Sequence, residues 1–191
     1  MTYRAPAAAI EFTLAHVIGA DRLTETARYS EATSDLRIAI LNEAGKMAED
    51  VLSPLQRAGD LQGAVLENGV VRASPGYDKG YEAIRDGGWV AVSAPEEYGG
   101  MGLPMILATA VNEMMSSSCL ALSLNPLMTQ GQIDALEYHA SDEIKATYLP
   151  KLIEGRWTGT MNLTEPQAGS DVGALRSNAK PNGDGSYAVS G

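Results

Sequence analysis

Apolar positions recur every three to four residues over most of the first 155 residues, the spacing of helices with one buried face. Over residues 6–18, Ile10, Leu14, Val17 and Ile18 fall on one side, and Gly19 is a natural stop. Residues 21–34 are polar and read as a loop or a weak helix. A longer helix starts at Ser34, whose hydroxyl suits an N-cap, with Asp35 well placed on the helix dipole. Its stripe is Leu36, Ile40, Ala44, Met47, Val51 and Leu55, and Pro54 kinks or ends it. Val65-Leu66 and Val70-Val71 flank Glu67-Asn68-Gly69, a hairpin signal, because Asn-Gly accepts the positive φ of a tight turn. Ser74-Pro75 opens a short helix with Tyr77, Tyr81 and Ile84, closed by Gly87-Gly88. From Leu103-Pro104 to Gly155 the pattern is helical again, with a stripe of Ile106, Ala110, Val111 and Met114. Residues 116–123 are small and apolar and suit close packing. Ser141 and Asp142 cap a last helix carrying Ile144, Tyr148, Leu149 and Leu152.

The texture then switches. Residues 157–164 are β-branched and alternating and predict a strand. A loop over 165–173 and a second strand over 174–180 follow. Asn182-Gly183-Asp184-Gly185 is turn chemistry before a third strand from Tyr187. The fold class is therefore mainly α with a β segment, divided near residue 156. A hairpin left alone is marginal in water. A chain that stops inside a strand reads as the front portion of a longer protein, cut within its second domain.

Composition narrows the partners. Lys and Arg total 14 against 24 Asp and Glu, a net charge of −10. That balance opposes sequence-independent nucleic-acid binding, which needs clustered cations against phosphate, and docking on an anionic membrane. No run approaches the ~18 apolar residues of a membrane span. The N-terminus, from Met1-Thr2-Tyr3, lacks the features of a secretory leader, so a cytoplasmic setting is the default. The single cysteine, Cys119, excludes an internal disulfide, and with only His16 and His139 a metal site has little support.

The chemistry concentrates in Leu163-Thr164-Glu165-Pro166-Gln167-Ala168-Gly169-Ser170-Asp171-Val172-Gly173. Here a strand runs into an irregular loop. Pro166 stiffens the exit, and Gly169 and Ser170 can present peptide N–H groups to an anion such as a pyrophosphate. On these residues alone an ordinary polar turn accounts for the stretch equally well.

The string Thr164-Glu165-Pro166-x-Ala168-Gly169-Ser170-Asp171 resembles the acyl-CoA dehydrogenase family. Two upstream pieces are similar to it in the same order: Trp89-Val90-Ala91-Val92-Ser93-Ala94-Pro95-Glu96-Glu97-Tyr98-Gly99-Gly100-Met101-Gly102 and Tyr148-Leu149-Pro150-Lys151-Leu152-Ile153-Glu154-Gly155. The first thirty or so residues resemble the N-terminal extension of a longer bacterial branch, which includes enzymes similar to 3-methylmercaptopropionyl-CoA dehydrogenase. The resemblance implies an N-terminal helical domain, a middle β domain and a C-terminal four-helix domain. In this chain it implies an extension over 1–33, the helical domain over 34–156 and the start of the β domain over 157–191.

It also implies FAD between the β and C-terminal domains, and α,β-dehydrogenation of an acyl-CoA thioester to a trans-2-enoyl-CoA. A carboxylate takes the α-proton while the β-hydrogen leaves as hydride to the flavin. By resemblance Met161, Leu163, Thr164, Gly169 and Ser170 are cofactor-binding. Leu163 and Thr164 offer backbone groups to the pyrimidine edge, and the Thr164 hydroxyl hydrogen-bonds there. Gly169 and Ser170 lie near the pyrophosphate, with Ser170 also at the mouth of the acyl-CoA site. Met161 stands where the family commonly has an aromatic residue, and Gln167 where it commonly has glycine. The segment that supplies the catalytic glutamate lies outside these residues, so no catalytic residue is assigned and the chain alone is expected to be inactive. The implied partners are an acyl-CoA, an electron acceptor such as an electron-transfer flavoprotein, and further copies in a homodimer or homotetramer. A non-catalytic helical scaffold of the same fold, an acyl-CoA oxidase and a flavin monooxygenase remain open as alternatives.

Other residues have a chemical and a plain reading side by side. Glu96 and Glu97 are an acid pair or solvated loop carboxylates. Cys119 is a nucleophile or a buried thiol. His139 is a base or a helix-end residue. Met101, Met105, Met114, Met115 and Met128 line an acyl pocket or fill the core. Arg176 and Lys180 meet CoA phosphates or are solvated.

Overall fold

The computed structural model describes residues 3–191. Of the N-terminal stretch read above for leader features, Met1 and Thr2 lie outside the described residues. The chain divides into two compact units, Met1–Thr160 and Met161–Gly191.

The first unit is helical. Helix α1 (Ala7–Phe12) runs into a π-helical turn, Thr13–Ile18, ended by Gly19 in the left-handed conformation. Ile10 and Leu14 face the core as the pattern predicts, but Val17 and Ile18 are exposed. The wider π turn rotates them off the face that a regular helix would give. Two 3-10 turns, Ala20–Glu25 and Ala27–Tyr29, fill the polar segment. Helix α2 (Ser34–Met47) is capped by Thr33, one residue earlier than predicted, whose Oγ1 accepts the Leu36 N–H at 3.4 Å. Thr33 has the extended backbone of a cap, while Ser34 already begins the helix.

The buried stripe of α2 is also shifted by one. Arg37, Leu41, Ala44, Ala48 and Leu52 are buried, and Ile40, Val51 and Leu55 flank them partly covered. Pro54 does not end the helix. A π-helical segment, Ala48–Leu52, precedes it, and α3 (Ser53–Leu61) continues with Pro54 in its first turn, where no N–H is needed. Strands β1 (Val65–Glu67) and β2 (Val70–Arg72) form the predicted antiparallel hairpin, with Asn68 at φ 51° and Gly69 at φ 78°. Helix α4 (Tyr77–Asp86) follows.

Helix α5 (Met105–His139) is the hub against which α2, α3, α4 and α6 (Asp142–Ile153) pack. Leu107, Val111, Met114, Met115 and Ile133 are its buried residues that meet Leu41, Leu52, Val92 and Leu149 in one core. The predicted run over 116–123 is not a straight helix, because Cys119 breaks it at φ −154°, ψ 82°. Serine hydroxyls take up carbonyls around the break: Ser118 Oγ donates to Met115 O at 2.9 Å and Ser123 Oγ to Leu120 O at 2.8 Å. Contrary to the run-length reading, α5 is long and apolar enough to cross a membrane by composition, with mean hydropathy 1.3 over its best window. The serines and asparagine interrupt any apolar run without lowering that average. Half of the window is buried within the protein.

The second unit holds the Thr164–Asp171 string and a hairpin of β3 (Asn178–Pro181) and β4 (Tyr187–Ser190), with Asn178 opposite Ser190 and Pro181 opposite Tyr187. The strand predicted over 157–164 does not form. Among the described residues no ladder pairs with it, and alternation alone makes no strand without a neighbour to take its hydrogen bonds. The second strand begins at Asn178 rather than 174, because the 3-10 turn Val172–Ala174 takes up its start.

Candidate functional site

Residues 161–177 form a loop tied at its base. Glu165 and Ala168 exchange both backbone hydrogen bonds, at 2.9 and 3.0 Å, which closes a tight turn over Pro166 and Gln167. Pro166 pre-sets the turn's φ. Ala168 alone of residues 161–191 is buried. The Glu165 carboxylate then reaches forward. Its Oε2 accepts the Arg176 N–H at 2.9 Å, its Oε1 accepts the Ser177 N–H at 2.9 Å, and Gln167 Nε2 donates to it as well. The Ser177 hydroxyl and these two peptide N–H groups hold its pKa down to about 2. Asp171 makes a smaller closure, accepting the Gly173 N–H at 3.0 Å.

The residues singled out from sequence stand along the rim of this loop. Met161 and Leu163 are exposed, at 67% and 46%. Thr164, Gly169 and Ser170 are exposed too. Among the described residues no hydrogen bond engages the peptide groups of Leu163, the Thr164 hydroxyl or the Ser170 hydroxyl. Gly169 is not required by the protein's own packing. A Cβ built there meets only Thr164 Cγ2, at 3.7 Å, and its φ lies outside the left-handed region. Open polar groups beside a glycine that the chain itself does not need make a donor set that fits a flat, hydrogen-bonding, anionic cofactor.

Glu165 and Ser177 went unnoticed in the sequence as site residues. A glutamate before proline is an unremarkable pair until the peptide groups 11 and 12 residues later are placed against it. Arg176 enters the site through its peptide N–H, with its side chain in solvent, and Lys180 lies exposed on β3.

The remaining candidates take their plain readings. Cys119 is fully buried, its thiol 3.7 Å from the Tyr77 hydroxyl. Met114 and Met115 are core, Met128 is half-buried, and Met101 and Met105 are exposed. His139 is the exposed last residue of α5, and Glu96 and Glu97 are exposed in the 3-10 turn Glu96–Tyr98. That turn lies in a loop folded back on itself: Met101 N–H donates to Ala91 O, Gly102 N–H to Ala94 O and Leu103 N–H to Val92 O, at 2.9 to 3.0 Å. Among the described residues no group of three metal-ligating side chains converges.

A broken hub helix with shorter helices packed around it, followed by a Thr-Glu-Pro loop and a β segment, defines an acyl-CoA dehydrogenase-type N-terminal half. The family model for the acyl-CoA dehydrogenase N-terminal domain matches residues 34–156, and the chain belongs to the acyl-CoA dehydrogenase family. It is 46% identical to 3-methylmercaptopropionyl-CoA dehydrogenase of Ruegeria pomeroyi over 191 residues, which is all of this chain and 32% of that protein. It is 30% identical over 186 residues to the broad-specificity linear acyl-CoA dehydrogenase FadE5 of Mycobacterium tuberculosis, covering 94% of this chain and 30% of that one. The chain thus spans about a third of the length of these relatives. Among solved structures, the glutaryl-coenzyme A dehydrogenase glutaryl-CoA complex superposes with a TM-score of 0.70 at 25% identity, over 83% of this chain and 38% of that one. An acyl-CoA dehydrogenase complexed with FAD from Bacillus anthracis shares the fold, with a TM-score of 0.64 at 23% identity over 84% of this chain and 26% of that one.

Proposed function

We propose that the whole protein carries out FAD-dependent α,β-dehydrogenation of an acyl-CoA thioester. This chain supplies the helical domain and the first flavin-binding loop, and the catalytic base comes from elsewhere in the protein. The observation that carries the reading is the rim of the 161–177 loop: exposed Leu163, Thr164 and Ser170 whose polar groups are free of partners among the described residues, beside a glycine the fold does not need. Family membership and the FAD named for the Bacillus anthracis structure support the cofactor.

FAD, when bound, supplies the hydride acceptor. Leu163 and Thr164 bind the cofactor's pyrimidine edge through peptide groups. The Thr164 hydroxyl donates where negative charge builds during the reaction, which is where a fixed donor accelerates it. Gly169 lets the backbone approach the pyrophosphate, Ser170 serves there and at the mouth of the acyl-CoA site, and Met161 packs against the ring. We assign residues 1–33 to an extension, 34–156 to the helical domain and 157–191 to the start of a β domain. The protein is read as cytoplasmic and as a homodimer or homotetramer, passing electrons to an acceptor such as an electron-transfer flavoprotein.

The test is direct. Full-length protein is purified and its visible spectrum recorded, then acyl-CoA turnover is followed with an artificial electron acceptor. A yellow protein that bleaches on acyl-CoA is the expected result. A colourless protein that takes up no added FAD rejects the reading.

A further inference from the structure

The loop rim is shaped by a residue that does not face the rim. Residues 165–177 enter and leave at nearly the same place, and a single side chain ties the two ends. The Glu165 carboxylate spends one oxygen on the Ser177 N–H and the other on the Arg176 N–H, both at 2.9 Å. Neither peptide group has another partner among the described residues, since β3 begins only at Asn178. The second acid of the loop cannot replace it, because Asp171 bonds only two residues ahead, to Gly173. Glu165 also fixes the near end, through its paired backbone bonds to Ala168. Thr164 precedes it, and Gly169 and Ser170 follow that pair, so all three inherit their placement from one carboxylate.

We infer that Glu165 is the positioning residue of the cofactor loop: its carboxylate, bridging the loop's entry to the peptide groups of residues 176 and 177, sets Thr164, Gly169 and Ser170 for FAD. The inference rests on the FAD reading above. Bonds from peptide N–H groups to an ionised carboxylate are among the stronger ones, even at a surface. The clamp keeps its charge across the neutral and mildly acidic range, since the pKa is held down to about 2.

The experiment uses full-length protein as wild type, Glu165→Ala and Glu165→Gln, each stripped of flavin. FAD affinity is measured by titration, and backbone hydrogen exchange of the stripped proteins by mass spectrometry. Glu165→Ala is expected to raise the Kd for FAD about tenfold or more, the scale of one charge-assisted hydrogen bond. It is expected to speed exchange in peptides covering 172–178 and leave peptides covering 34–60 unchanged. Glu165→Gln keeps one oxygen for one of the two N–H groups and falls between, which a general loss of fold would not produce. If Glu165→Ala does not fold, Glu165→Gln carries the comparison. Variants that bind FAD like wild type, or that leave exchange over 172–178 unaltered, overturn the positioning role while the FAD reading stands. Wild-type protein that takes up no FAD sinks both.

Discussion

The guanidinium of Arg37 on α2 holds the carboxylate of Glu11 on α1 by two hydrogen bonds, of 2.9 and 3.4 Å. The same guanidinium reaches Asp21 at 2.7 Å and the Ala32 carbonyl at 3.1 Å, and Arg37 is only 1% exposed. Burial works against its charge, but the hydrogen bonds to Glu11 and Asp21 outweigh that and raise its pKa. One arginine thus fastens the N-terminal arm to the helical domain. Arg37→Ala is expected to cost about 2–3 kcal/mol in urea unfolding, below the full cost of breaking a buried pair because the acids left behind keep some contact with water. Hydrogen exchange over residues 7–29 should speed up as well. A change under about 0.5 kcal/mol, the ordinary surface range, would show that the arm is held by packing alone.

Gly100 and Gly169 make a matched pair of tests. At Gly100 a Cβ would sit 2.1 Å from the Ala94 carbonyl oxygen and 2.3 Å from its carbon. Both are backbone atoms that the folded-back loop fixes. Gly100→Ala is expected to destabilise by about 3 kcal/mol, the upper range for overpacking. The check is the denaturation midpoint.

Gly169→Ala should do the reverse. A methyl group there meets ordinary van der Waals space, so thermal stability of the flavin-free protein stays within about 0.5 kcal/mol of wild type. FAD uptake is expected to weaken, because the methyl group stands where the cofactor approaches. Equal FAD affinity in the two proteins would remove Gly169 from the site.

Asp134 on α5 is partly buried, and burial alone pushes its carboxyl pKa up. A raised folded pKa means that ionisation opposes folding, so this residue costs stability as pH rises through that value. Asp134→Asn is expected to raise Tm at pH 7 and to lose most of that advantage near pH 3, where the wild-type carboxyl is protonated. Calorimetry at the two pH values decides it.

Helix positions, the Asn68-Gly69 turn, the Ser141 cap and the left-handed stops at Gly19 and Gly155 were all legible, because each rests on contacts within a few residues. Arg37 was not. A charged residue in the first turn of α2 counts as solvent-facing until Glu11 and Asp21 are folded against it, and so the predicted stripe fell one residue out of register. The break at Cys119 was hidden for a related reason: a run of small residues permits a bend without announcing one. At the candidate site the string 164–171 was visible, while the Glu165 clamp depends on peptide groups that carry no side-chain signature.

The fastening of residues 165 and 168 to residues 176 and 177 has an evolutionary corollary. A segment cinched at its neck can gain or lose residues at its tip without moving what lies below the knot. Length variation among homologues should therefore gather between positions 171 and 175, while the spacing from Thr164 to Gly169 stays constant. In this architecture the acid functions as a ruler.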